Sequence, residues 1–422
     1  MTKRLYYDRP DLLEFDSVVE AAETLTEVSG APARPRIVLR ETAFYPASGG
    51  QVHDTGWIVL ASGERLRIAE VADLEDGRVV HYMEAPAGGS LASSPTTLGY
   101  AGMAAHGVID PERRRDHMQQ HTGQHVLSAA FLSLYEFPTV SFHMGEDYCS
   151  IDLATGQLTT AQLLDTENRA NEIVFEDRPV RIRYVRREEA EKLGLRKQPP
   201  AGRDELRLIE IADFDLSACG GTHVASTGQV GSILLRKAEK TRQGMRVEFV
   251  CGARAVRIAR RDYTTLAEAA SLYSAQLADV PEMIRKGFEE GKALRRQSED
   301  ALEQLAAAMA EAALGASSIT TNRRIILKSF SDRDTNFAKL FAQKVTRTGV
   351  PAIALVGSSV QPPGLVFAQS PGGTSDMGAL LKQVLLAAGG RGGGSRDFAQ
   401  GGVPPGANVM ELLRQAAGTI GS

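Results

Sequence analysis

Two short pairs of metal-binding residue types constrain this chain more than any other feature of its sequence. His121 and His125 lie in a segment with a helical pattern, where residues four positions apart share one face. Cys219 and His223 have the same spacing on a glycine-rich turn about a hundred residues later. Three imidazoles and one thiolate form a tetrahedral donor set of the kind that zinc prefers. The sequence therefore predicts a fold that brings both pairs to one zinc ion.

The alternative for any single histidine on a helix is a packed or solvated side chain without a metal. Two pairs with equal spacing, one of them carrying a cysteine, favour the metal site over that alternative. His117 lies one helical turn before the first pair. We interpret it as a candidate general base or outer partner of the metal, with a plain surface position as the alternative.

The cysteine content and the apolar pattern argue against two classes of protein. The chain has three cysteines, Cys149, Cys219 and Cys251, and this small and odd number argues against a disulfide framework. The chain has no run of about eighteen apolar residues, so no membrane-spanning segment or membrane partner is expected. The basic N-terminus has no apolar stretch behind it, which argues against a secretory signal and predicts a cytoplasmic protein.

Charge is distributed unevenly along the 422 residues, which are enough for two to four domains. The formal net charge is −4, yet residues 319–422 carry eleven Lys and Arg against five Asp and Glu. A basic terminal part on an acidic body suggests a module that faces a polyanion such as RNA. An ordinary solvated surface is the alternative, because the excess is modest.

Residues 1–101 contain short β-rich runs separated by turns, which predicts a small β-barrel. Asp-Gly at positions 76 and 77 separates two such runs and indicates a hairpin. The loop from Thr42 to Gln51 offers Thr42, Ser48 and Gln51 as hydrogen-bonding groups for a ligand. A simple tight turn is the alternative, because glycine pairs mark turns more often than sites.

Residues 102–258 alternate helical and strand-like stretches and begin with a helix from Pro111 to about Tyr135 that carries the histidines. This pattern predicts an α/β zinc-binding domain. Residues 262–315 are helical in pattern and are interpreted as a helical arm, either an extended helical hairpin or a dimerising coil. Packing against its own domain is the alternative, because the heptad pattern is not sustained.

Residues 319–422 alternate strands and helices and include a stretch rich in glycine and arginine, expected to be a loop. Backbone nitrogens that glycine leaves unobstructed suit contacts with phosphates and bases, whereas a disordered linker is the alternative. The candidate nucleic-acid-binding residues are Arg391, Arg396, Phe398 and Gln400. The chain as a whole is predicted to be α+β, with a barrel, a zinc domain, a helical arm and a C-terminal α/β domain.

Together these motifs resemble the free-standing alanyl-tRNA editing proteins, specifically the long form that carries the C-terminal domain of alanyl-tRNA synthetase. The Thr42–Gln51 loop is similar to the family's glycine-rich editing loop, and the two metal pairs are similar to its HxxxH and CxxxH zinc motif. The resemblance implies an aminoacyl-tRNA hydrolase with one zinc ion per chain. Its substrate would be tRNA(Ala) mischarged with serine or glycine, held by the C-terminal domain. Within the loop, Thr42 is expected to meet the serine hydroxyl and Gln51 to position the ester or the amine.

Two alternatives from other classes stay open at this point. A threonyl-type editing module has a similar pair of motifs and would act on Ser-tRNA(Thr). A non-catalytic, zinc-stabilised RNA-binding protein would use the same ligands only for folding. For either class of editing protein, a homodimer through the helical arm or the C-terminal domain is a further expectation.

Overall fold

The computed structural model describes residues 1–25, 34–84, 97–197, 204–320 and 323–421. The chain divides into two compact units, residues 1–267 and 268–422. In these described ranges, no helix is both long enough and apolar enough to cross a bilayer. Helices and sheets occur in both units and one sheet closes into a barrel, in agreement with the predicted α+β class.

Six antiparallel strands close into a barrel in the first unit, as the sequence predicts. The strands of this part are β1 (Lys3–Arg4), β2 (Glu14–Leu25), β3 (Arg34–Leu39), β4 (Glu41–Thr42), β5 (Gly56–Leu60), β6 (Arg65–Asp73), β7 (Val79–Met83) and β8 (Ala104–Ile109). The barrel order is β2-β3-β7-β6-β5-β8, and β1 pairs with β4 outside it. Alternate residues of β5 point inward and are buried, which is the period of two expected of a strand.

The hairpin predicted at Asp76 and Gly77 is confirmed, because β6 and β7 pair antiparallel on either side of it. Gly77 has a φ of 81°, a conformation that favours glycine at such a turn. The barrel extends beyond the boundary expected at residue 101. Its last strand, β8, pairs with both β2 and β5 and so closes the sheet.

The rest of the first unit packs around α1 (Pro111–Tyr135), whose bounds match the prediction. Asp110 caps the helix by accepting hydrogen bonds from the backbone nitrogens of Glu112 and Arg113. The apolar side of α1 packs in one core with α2 (Thr160–Phe175) and the sheet strands. The other helices are α3 (Arg187–Ala190) and α4 (Gly252–Leu272). One sheet has the order β14 (Ile233–Lys240), β15 (Met245–Cys251), β10 (Cys149–Leu153), β9 (Thr139–Met144), and the other has the order β11 (Val180–Arg186), β12 (Glu205–Ile211), β13 (Asp215–Ala218).

The second unit has a six-stranded sheet with a helical layer on each side, which gives two cores. The helices are α5 (Val280–Ala316), α6 (Thr335–Thr346), α7 (Met377–Ala388) and α8 (Val409–Gly421). The strand order is β16 (Ile319–Thr320), β17 (Arg323–Phe330), β18 (Ala352–Ser358), β19 (Gly364–Gln369), β21 (Phe398–Gly402), β20 (Arg391–Gly394).

Within the predicted arm, residues 262–272 belong to α4, and a separate helix, α5, begins at Val280. The C-terminal half of α5 buries Ala306 and Ala310 in a core of the second unit, whereas Phe288 near its start is 73% exposed. The stretch rich in glycine and arginine is not a loop or a linker, since it forms the hairpin β20–β21 at the sheet edge.

Candidate metal centre

Four side chains from two parts of the first unit converge at the predicted metal site. His121 and His125 lie one turn apart on α1, and Cys219 and His223 lie on the loop after β13. One donor atom from each residue falls within 4.8 Å of all the others. The Cys219 Sγ atom is 3.4 Å from Nε2 of His121 and 3.4 Å from Nε2 of His223. The fold thus brings together the four residues that the spacing predicts.

Each histidine of this cluster is held through its Nδ1 atom. The Nδ1 of His121 lies 2.7 Å from Oε1 of Gln51, and the Nδ1 of His223 lies 3.1 Å from Oγ1 of Thr122. The Nδ1 of His125 lies 3.1 Å from a carboxylate oxygen of Asp215. These bonds fix the ring orientations and leave Nε2 for a ligand, which is the usual arrangement around a metal-bound histidine.

Asp215 is itself anchored, although no sequence motif singles it out. Its Oδ1 accepts a hydrogen bond of 2.7 Å from Nε of Arg196, and the Ser217 hydroxyl donates to the same carboxylate. Burial alone would raise the pKa of Asp215, but the bonds from His125 and Arg196 outweigh it and lower the pKa to about 2. The side chain is therefore an ionised acceptor behind His125.

The turn that carries Cys219 needs glycine for space. A Cβ atom on Gly221 would lie 2.1 Å from Cε1 of His121, so any side chain there would displace that imidazole. The backbone nitrogen of Gly221 also donates to Cys219 Sγ at 3.3 Å. Burial alone would raise the pKa of the Cys219 thiol, but His121 and His223 hold it well below its usual range. A thiolate with three imidazoles fits zinc.

The Thr42–Gln51 loop reaches this centre through Gln51. Gln51 is 2% exposed, and its Nε2 donates to Oγ1 of Thr222 at 2.8 Å while its Oε1 meets His121. Ser48 is exposed at the tip of a tight turn, where its backbone pairs with that of Gln51. A Cβ atom on Gly50 would lie 2.5 Å from the carbonyl oxygen of Phe142, so the turn packs closely on β9. Gln51 therefore acts on the metal centre from behind His121.

Thr42 lies on β4, next to the barrel strand β7. Its side chain is 0% exposed, and its Oγ1 is 2.9 Å from Nε2 of His81. Because Nδ1 of His81 lies 3.2 Å from the carbonyl oxygen of Ile37, the hydroxyl of Thr42 is the donor to Nε2. The backbone nitrogen of Phe44 donates to the same hydroxyl. The expected contact between Thr42 and a serine hydroxyl stays a prediction.

His117 is 3% exposed, so the surface alternative is wrong. Its Nδ1 has no hydrogen-bond partner in the described part of the chain, and it lies 3.9 Å from Oδ1 of Asp54. Burial, followed by the charge of Arg113, lowers the pKa of His117 to about 3. The imidazole is thus neutral near pH 7 and weakly basic, which favours hydrogen bonding over proton abstraction.

The four candidate nucleic-acid-binding residues lie on the β20–β21 hairpin of the second unit. Arg391, Arg396 and Gln400 are exposed, and Phe398 is half-buried. The pairing of Gly393 with Gln400 places Phe398, Gln400 and Arg391 on one face of the hairpin, and Arg396 lies in its turn. The opposite face packs on α7, where Cβ atoms added to the hairpin glycines would meet Leu385.

Two families match parts of this chain. Residues 206–247 match the family described as threonyl and alanyl tRNA synthetase second additional domain. This range contains Cys219 and His223. Residues 2–95 match the family described as tRNA synthetases class II (A).

Whole-chain relatives are similar in sequence along nearly its full length. The alanyl-tRNA editing protein AlaX-L of Pyrococcus horikoshii is 29% identical over 408 residues, which cover 96% of this chain and 95% of that protein. The alanine–tRNA ligase of Pyrococcus abyssi is 30% identical over 427 residues, which cover 98% of this chain and 43% of the ligase. That of Halorubrum lacusprofundi is 30% identical over 433 residues, with 100% and 44% covered. The chain therefore spans less than half the length of these ligases.

Among solved structures, the C-Ala domain from Aquifex aeolicus alanyl-tRNA synthetase is 16% identical and covers 25% of this chain and 98% of its own. The TM-score of 0.23 is too low to support an argument about the fold.

The barrel, the His/Cys centre and the sequence relatives together define a protein of the alanyl-tRNA synthetase-like editing type. The chain belongs to the alanyl-tRNA synthetase-like editing family and is a homologue of AlaX-L.

Proposed function

We propose that this chain is a trans-editing hydrolase that deacylates tRNA(Ala) mischarged with serine or glycine. The observation that carries the proposal is the buried donor cluster, in which each imidazole is anchored through Nδ1 beside the Cys219 thiolate. The tRNA substrate is supported by the family, since the relative AlaX-L is named an alanyl-tRNA editing protein. A cytoplasmic location follows from that substrate.

One zinc ion per chain is part of the proposal, held by His121, His125, Cys219 and His223. When bound, zinc supplies Lewis-acid polarisation of an ester carbonyl or activation of a water molecule. The histidines are 2–3% exposed, whereas Cys219 is partly exposed. The aminoacyl end of the tRNA therefore approaches from the Cys219 side, and the histidines form the closed wall behind it.

Selectivity is the reason for a second, hydrolytic site. A synthetase pocket that accepts alanine cannot strongly reject serine, which adds a hydroxyl, or glycine, which is smaller. We assign Gln51 to orienting His121, and Ser48 to the exposed edge of the loop where a substrate group can reach it. His117 is proposed as a neutral hydrogen-bonding group in the neighbouring cavity.

The remaining parts of the chain are proposed to hold the tRNA. Arg391, Arg396, Phe398 and Gln400 present two charges, an aromatic ring and an amide on the hairpin, which suits phosphate and base contacts. The exposed apolar residues of α5, such as Phe288, are proposed as part of a homodimer contact, with the C-terminal domain as the second candidate surface. Light scattering of the purified protein tests the dimer.

The experiment that tests the function compares four substrates with zinc-loaded protein: Ser-tRNA(Ala), Gly-tRNA(Ala), Ala-tRNA(Ala) and Ser-tRNA(Thr). We expect release of serine and glycine from tRNA(Ala) and much slower release of alanine. Preferred turnover of Ser-tRNA(Thr) would support the threonyl-type alternative instead. No turnover of any substrate, with tRNA binding intact, would support a non-catalytic RNA-binding protein.

A further inference from the structure

A cavity of about 260 Å³ opens directly beside Cys219 in the first unit. It lies on the side where this metal ligand is partly exposed. Its walls come from the N-terminal segment, from the three-stranded sheet and from the Cys219 turn. The lining residues that matter here are Tyr7, Tyr184, Glu205, Arg207, Cys219 and Gly220. We call this cavity the Arg207 slot.

Two of the three guanidinium nitrogens of Arg207 are fixed by hydrogen bonds, and the third is not. Its Nε donates to the carbonyl oxygen of Tyr7 at 2.9 Å, and its Nη1 donates to the carbonyl oxygen of Cys219 at 2.6 Å. Its Nη2 atom is buried and has no hydrogen-bond partner in the described part of the chain. A buried donor without a partner is costly and rare in a folded protein, so a ligand oxygen is the natural complement.

The guanidinium group is also held in a fixed plane. It lies over the Tyr7 ring at 5.6 Å from the centroid, and the Arg4 guanidinium lies over the same ring at 5.7 Å. Arg4 in turn pairs with Asp73 at 2.6 Å. The spare donor of Arg207 is therefore preorganised and does not have to be ordered when a ligand binds.

Tyr184 provides a free aromatic face at the same slot. The residue is 45% exposed, and its hydroxyl donates to Asp8 at 2.8 Å, which restrains the ring. An exposed aromatic ring next to an arginine is the combination that binds an unpaired nucleotide, because the base stacks and the phosphate accepts hydrogen bonds.

Two larger cavities of the same unit are less suited to this ligand. Neither is lined by a metal-binding residue. In the cavity of about 710 Å³ beside His117, three arginines face four carboxylates, and one of those arginines, Arg254, is already paired with Asp116. The cavity of about 420 Å³ beside Met118 lies along α1 and contains no exposed aromatic side chain.

We propose that the Arg207 slot binds the terminal nucleotide of the tRNA, with its base stacked on Tyr184 and a phosphate oxygen bound to Nη2 of Arg207. The aminoacyl ester on that nucleotide then lies at Cys219. This inference rests on the proposed editing function and adds where the nucleotide is held. Tyr184 and Arg207 bind the substrate and take no part in breaking the ester bond.

The test uses full-length, zinc-loaded protein and Ser-tRNA(Ala). Tyr184→Ala removes the stacking ring, and we expect KM to rise about tenfold with kcat within about twofold of the wild-type value. Tyr184→Phe keeps the ring and should restore most of the lost affinity, which a purely structural role of the hydroxyl bond to Asp8 would not allow. The matched control is Tyr148→Ala, because Tyr148 is 48% exposed and does not line the slot. Zinc content is measured for every variant.

A second measurement separates failure of this inference from failure of the proposed function. Binding of AMP to the wild-type protein and to the two alanine variants is followed by calorimetry, which needs no turnover. We expect binding to be weakened about tenfold by Tyr184→Ala and unchanged by Tyr148→Ala. Equal KM and equal AMP affinity in both alanine variants would overturn the nucleotide slot. Wild-type protein that binds AMP in this way but releases no amino acid would overturn the editing function instead.

Discussion

The metal centre and the β20–β21 hairpin are both marked by short sequence motifs, yet they are built in opposite ways. At the metal centre, the three histidines are buried, each has a partner behind it, and Cys219 is partly exposed. In the hairpin, the glycines make the close contacts with α7, while Arg391 and Arg396 are exposed. A substitution at the metal centre therefore leaves buried polar groups without partners, whereas a substitution of a hairpin arginine removes one solvated charge.

The largest effect is expected for Cys219→Ala, which removes the one sulfur donor and the ligand on the open side. Zinc affinity should fall by more than the roughly 10- to 100-fold that is typical for loss of an outer partner. Deacylation of Ser-tRNA(Ala) should fall with it. The measurements are zinc titration and single-turnover deacylation.

Cys149→Ala is the matched control for that variant, because Cys149 is a free, fully buried thiol outside the donor cluster. It should keep one zinc ion per chain. Full deacylation by zinc-free Cys219→Ala would show that deacylation does not need the metal centre. The metal centre and the hairpin would then not differ in functional importance.

A smaller loss is expected for Asp215→Asn, which keeps the shape of the side chain but removes the charge between His125 and Arg196. Zinc affinity should fall about 10- to 100-fold, because the outer partner of a ligand histidine sets its orientation and basicity. The control is Asp213→Asn, two residues earlier and exposed. Equal zinc affinity in the two variants would mean that His125 needs no anchor.

The same contrast explains what the sequence could predict. The bounds of α1 follow from local signals, a capping Asp110 and a proline at the first position, and the four donors follow from spacing within each pair. Their partners do not, because Gln51, Thr122 and Asp215 lie 70, 101 and 90 residues from the histidines they hold. Contacts of that kind depend on how strands and loops pack, which no local pattern contains.

The hairpin was not predictable from the sequence for a related reason. Glycine is disfavoured in strands, so a glycine-rich run is expected to be a loop. Here β21 pairs with β19 through backbone hydrogen bonds, and the missing side chains let the hairpin approach Leu385 on α7. Tertiary packing thus overrides local preference in residues 391–402. It also buries Thr42 and engages its hydroxyl with His81 and the backbone of Phe44, and its contact with a serine hydroxyl stays a prediction.

Thr42→Val tests whether the Thr42 hydroxyl serves stability or substrate selection. Valine removes the donor to Nε2 of His81 and the acceptor for the backbone nitrogen of Phe44, both of them buried. The free energy of unfolding should fall by about 1–3 kcal/mol for an unsatisfied buried group, measured by urea denaturation. Discrimination between Ser-tRNA(Ala) and Ala-tRNA(Ala) should stay at the wild-type level. A loss of discrimination without a loss of stability would restore Thr42 as the partner of the serine hydroxyl.

The smallest effect is expected in the hairpin, for Arg391→Ala and Arg396→Ala. Each exposed arginine contributes one phosphate contact in the proposed complex, so each change should reduce the slope of log affinity against log salt by roughly one. Stability should change little, because both side chains are exposed and Arg396 makes a long hydrogen bond of 3.4 Å to the carbonyl oxygen of Thr374. The control is Arg414→Ala on α8, which removes an exposed charge outside the hairpin, where Arg414 lies 3.6 Å from a carboxylate oxygen of Glu411. If all three variants bind tRNA(Ala) with the same salt slope, the hairpin is only the edge of a sheet. Its glycines would then serve only to pack on α7. The metal centre would be a functional site, and the hairpin a structural motif.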